Sequence, residues 1–149
     1  MPGQLKIISY NQSHRIKKLK FFEIGHVYLP SEDDQLLPDE REHLSISIAG
    51  GDATEIVAIL DMISLTMAFP NMQLKQQEIE GLHPGRSAQV FVAGQERGAV
   101  GEVDPRVLRN YGIDDSVAWL ELDLGSILAG PFGKKKYTSV SKYPSSDID

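Results

Sequence analysis

LHPGRSAQVFVAGQERGAVGEVDPRVLRNYGI, Leu82 to Ile113, joins a tight turn, a glycine-rich strand pair and a sharply started helix in one fixed order. Ala88, Val90 and Val92 alternate with polar or smaller residues, the period of a half-buried strand, and Gly94 to Gly98 is expected to turn the chain back into a hairpin. Asp104-Pro105 is a strong helix start, an N-cap followed by proline at the first helical position. Gly112 then suits the left-handed residue that closes a short helix. Gly94, Gly98 and Gly101 have neither phosphate-loop spacing, and the segment leads into a strand where such a loop would open a helix. Hairpin geometry explains these glycines better. The capping carboxylate of Asp104 also makes that helix start a poor anion site.

Working outward, residues 4–12 carry Leu5, Ile7, Ile8 and Tyr10 in a pattern that suits the tail of a helix, as though the chain begins inside an element. Phe21 to Leu29, aromatic and β-branched and stopped by Pro30, reads as a strand. Ser31 to His43 is acidic, contains Pro38 and is expected to be an exposed loop. Leu44, Ile46 and Ile48 alternate with Ser45, Ser47 and Ala49 in a strand closed by Gly50-Gly51. Asp52 with Glu55 three residues on forms a capping box, Ile56, Leu60, Ile63 and Met67 keep helical spacing, and Pro70 ends that helix. Gln73 to Glu80 reads as a polar edge strand and Val117 to Leu122 as a strand buried on both faces. Asp123 is expected to cap a short helix that runs through Leu128 and ends at Gly130-Pro131, and Tyr137 to Tyr143 to form a last strand. The sum is an α+β domain on a mainly antiparallel sheet.

The chain's 149 residues fit one domain, and its 41% hydrophobic content is ordinary for a globular protein. No stretch is long enough to cross a membrane, and the first residues lack the apolar run of a signal peptide. No cysteine is present, which removes disulfides, thiolate nucleophiles and thiolate metal sites, and favours the cytoplasm. A net charge of -6 argues against broad coating of nucleic acid. The basic runs at 14–18 and 134–136 read as solvated loop or strand ends. The four histidines, at 14, 26, 43 and 83, have no metal-site spacing. His26 reads as a packed core or interface residue, because it alternates with Ile24 and Tyr28.

Two polar features invite a functional reading. In His83-Pro84-Gly85-Arg86 a turn aims Arg86 in a defined direction, either as plain structure or as a clamp on a carboxylate or phosphate of a partner. Glu23 lies in an apolar strand beside Phe21 and Val27 and is expected to pair with Arg15 or Arg86. The alternating serines at 45, 47, 139 and 141 sit in no nucleophile elbow. Nothing assembles a nucleophile, a base and an oxyanion site.

Several motifs, in order over nearly the whole chain, resemble one module of the bacterial phenylalanyl-tRNA synthetase beta subunit. They are Pro2-Gly3-Gln4-Leu5, Tyr10-Asn11, Phe22-Glu23-Ile24-Gly25, Leu82 to Ala88, Gly98 to Glu102, Ala118 to Leu122 and Ser141-Lys142-Tyr143-Pro144. The resemblance implies a class II synthetase-like antiparallel sheet flanked by helices. It also implies a single domain over residues 1–149 that ends where the anticodon-binding domain would begin. Arg15 and Phe22-Glu23 resemble a remnant of the class II motif that binds ATP and the amino acid. The third motif has no counterpart, since residues 117–130 carry Gly125 and Gly130 but no arginine. Asp104-Pro105 stands where the family has His-Pro, and Gly50-Gly51-Asp52 lacks the aromatic-rich form found there.

The role implied by the resemblance is that of a non-catalytic pseudo-synthetase core that assembles with the catalytic alpha subunit. No cofactor is expected in this chain, with ATP and magnesium bound elsewhere in the holoenzyme and tRNA contacted only in the full complex. Arg15, Glu23, His83, Arg86 and Glu102 are the candidate structural or partner-binding residues. The isolated chain is expected to self-associate through bared apolar surface. The alternative is a freestanding small-molecule or peptide binding protein with Arg86 and Glu102 in its site.

Overall fold

A computed structural model describes residues 1–29 and 38–130. The element order is α1 (Pro2–Ser13), β1 (Leu19–Leu29), β2 (Asp39–Ala49), α2 (Ala53–Met67), β3 (Gln73–Gln76), β4 (Leu82–Val92), β5 (Gln95–Val103), α3 (Pro105–Asn110), β6 (Val117–Asp123) and α4 (Leu124–Ala129). Among the described residues six strands form one sheet in the order β1-β2-β6-β5-β4-β3, and every neighbouring pair is antiparallel. This is the expected α+β class. The last expected strand, Tyr137 to Tyr143, lies outside the described residues.

Alternation along the central strands divides the core in two. Leu44, Ile48, Val90, Val100, Leu120 and Leu122 point to one face, where Ile56 and Leu60 of α2 and Ile127 of α4 cover them. Ala49, Val117, Trp119, Val103 and Leu82 point to the other, under Leu5 and Ile8 of α1 and Leu108 of α3. β6 is therefore buried on both sides, as its unbroken apolar run implies.

The helix boundaries follow local chemistry. Asp52 accepts from the Glu55 backbone N–H at 2.8 Å, and Asp123 from that of Ser126 at 2.9 Å. The second half of the capping box does not form, because the Glu55 carboxylate pairs with Lys20 of β1 instead. α2 ends at Met67 with Ala68 in the left-handed region, two residues ahead of Pro70. Asp104 caps α3, and Gly112 follows it at φ 66°.

Four expectations need correction. β2 begins at Asp39, so residues 39–43 are strand and not loop. Their polar side chains sit opposite the far half of β1, whose eleven-residue ladder extends the hairpin past the apolar stretch. The β4–β5 turn is Ala93-Gly94, both at positive φ (52° and 77°), and β5 has already started at Gln95. Gly98 serves a different end: a Cβ there would lie 2.0 Å from the Glu121 carbonyl oxygen, so the residue lets β5 and β6 close together. His83-Pro84-Gly85-Arg86 does not join two elements. It bulges within β4, four residues opposing Glu102 alone between the Leu82–Val103 and Ser87–Gly101 pairs. Finally, β3 is an edge strand but stops at Gln76.

Candidate functional site

Arg86, at the end of the bulge, meets Glu102 directly across the ladder, Nε to Oε2 at 2.6 Å. The second oxygen of Glu102 accepts from the Ala53 backbone N–H at 3.1 Å. One carboxylate thus ties β4, β5 and the first turn of α2 together. His83 is turned inward on its own bulge, its Nδ1 accepting from the Gly85 N–H at 3.1 Å. A hollow of about 370 Å³ lies beside Arg86 and Glu102, but their charged ends are already engaged with each other. Of the five sequence-predicted residues, only Arg86 and Glu102 are brought together as interacting partners.

The expected partner of Glu23 is a correction. Its carboxylate is exposed on β1 and pairs with neither Arg15 nor Arg86. Among the described residues β1 is the outermost strand and Glu23 is exposed on it, so water solvates the carboxylate and the cost that would demand a cation does not arise. Arg15 sits in an exposed turn after α1, at φ 68°. Phe22 and Glu23, adjacent on a strand, face opposite sides of the sheet. The three residues of the motif remnant do not converge. His26 is exposed and not packed in the core.

A polar cluster missed from sequence lies on the α1 side of the sheet. Gln4 of α1 is 3% exposed, and its Oε1 accepts from Ser45 Oγ (2.9 Å), Ser47 Oγ (2.7 Å) and Trp119 Nε1 (3.2 Å). The indole N–H can only donate, which fixes the orientation of the amide. Next to it, His43 Nδ1 lies 3.0 Å from Glu121 Oε1. Gln4, Ser45, His43 and Glu121 border a hollow of about 190 Å³, with Glu23 of β1 on its rim. The signal was the alternation Ser45-x-Ser47, which sends two hydroxyls to the face opposite the apolar residues, where something must accept from them. At the far end of the same face Asp123 meets Arg41 (3.5 Å) and Arg97 (3.9 Å). Burial opposes ionisation of Asp123, but the Ser126 hydroxyl and N–H and the charges of His43 and Arg41 outweigh it and hold the carboxyl below its usual range. No group of three or more His, Asp or Glu among the described residues could hold a metal ion. None of the helices described is long and apolar enough to cross a membrane.

Large apolar side chains are bare along β1, where Phe22 is 68%, Ile24 51% and Tyr28 65% exposed. All three lie on the face that α2 and α4 cover over the central strands. Met62 and Leu65 are bare on the outside of α2.

The sheet and its flanking helices are those of a class II aminoacyl-tRNA synthetase. The structure of Desulfitobacterium hafniense PylSc, a pyrrolysyl tRNA synthetase, superposes with a TM-score of 0.61 at 19% identity, over 85% of this chain and 46% of that one. The family model of the phenylalanyl tRNA synthetase beta chain CLM domain matches residues 1–124, and the chain belongs to that family. It is 32% identical to the phenylalanine–tRNA ligase beta subunit of Clostridium tetani over all of this chain and 19% of that protein. It is 31% identical to the cytoplasmic phenylalanine–tRNA ligase beta subunit of Arabidopsis thaliana, over 86% of this chain and 24% of that one. The chain spans about a fifth of the length of the curated relatives it matches.

Proposed function

We propose that this chain is a non-catalytic pseudo-synthetase module of a phenylalanine–tRNA ligase beta subunit, acting in the cytoplasm by assembling with the catalytic alpha subunit. The observation that carries the reading is the scattering of the motif remnant. Arg15 lies in an exposed turn, and Phe22 and Glu23 face opposite sides of an edge strand, an arrangement that supports a site not built to grip one ligand. Family membership over residues 1–124 and the apolar side chains bared on β1 and α2 support a module built to be covered by other protein. ATP, magnesium and tRNA are handled in the holoenzyme by other parts. The freestanding binding protein has less support, because Arg86 and Glu102 neutralise each other where a ligand would need them free.

The test is association with the catalytic alpha subunit, measured by light scattering on a sizing column, together with ATP–pyrophosphate exchange in the presence of phenylalanine. The expected result is a mixed complex, with no exchange from this chain alone. Exchange by the isolated chain would overturn the non-catalytic reading. A folded chain that never joins alpha would overturn the assembly reading.

A further inference from the structure

We draw no further inference here: the strongest candidate, the hollow between α1 and the sheet bordered by Gln4, His43 and Glu121, is also lined by Met1 and Gly3 at the start of a chain that spans about a fifth of its relatives, and nothing in the structure shows what fills it.

Discussion

β6 and β1 belong to one sheet and live in opposite environments. Every residue of β6 but Glu121 is buried, and Leu120 and Leu122 have no exposure at all. No residue of β1 is fully buried, and Phe22, Ile24 and Tyr28 stand more than half exposed. Both strands are rich in large apolar residues, so hydrophobicity does not separate them. Position in the ladder does. A middle strand has its apolar residues satisfied by its own helices, whereas an edge strand of the same composition must find its cover elsewhere.

The sharpest test of that contrast is where the middle strands touch. Gly98→Ala is expected to prevent stable folding, because its Cβ would meet the Glu121 carbonyl oxygen at 2.0 Å and force β5 from β6; loss of the cooperative thermal transition is the readout. Leu120→Ala should keep the fold but cost about 2–5 kcal/mol in denaturant unfolding, through lost burial and the cavity left behind. Gln4→Ala should cost about 1–3 kcal/mol, because Ser47 and Trp119 keep buried donors with no acceptor. On the edge the contrast reverses: Phe22→Ser should shift stability by no more than about 0.5 kcal/mol while changing association.

The smallest effect concerns acid. The Arg106 side chain, and then its backbone N–H, hold the Asp104 carboxyl at about 2, below the ordinary carboxylate value. A depressed value means stability that is present above the unfolded pKa, near 4, and lost as pH falls through about 2. The melting temperature of Asp104→Asn should therefore be lower than the parent's at pH 5 and converge with it towards pH 2.

The middle of the sheet was legible because its signals are local. An unbroken apolar run marks β6, an Asp-Pro start marks α3, and Asp52 marks the head of α2. The turn at Ala93-Gly94 was not legible, because an alanine at positive φ has no composition signature and the glycines downstream carry the residue type that turns ordinarily use. Residues 39–43 read as loop because nothing in a polar stretch announces that a partner strand extends opposite it. Glu23 invited an ion pair only on the assumption that an apolar strand is a covered strand. Arg86 and Glu102 were expected together only as the lining of a ligand site; their direct ion pair depends on a bulge that aligns residues sixteen apart. Gln4 was hidden for a related reason: a helical glutamine becomes the hub of a cluster only once the sheet brings Ser45, Ser47 and Trp119 beneath it.

That hub supplies the protein with an optical gauge of its own. Trp119 is the chain's single tryptophan, and its indole N–H ends on the Gln4 amide of α1. Indole emission from this chain, excited where its five tyrosines do not absorb, therefore originates beside the contact between its first helix and its sheet. Lifting of α1 by a partner, a denaturant or heat would expose that indole to water and shift its emission to longer wavelength. A spectrum recorded without any label follows the seating of one twelve-residue helix.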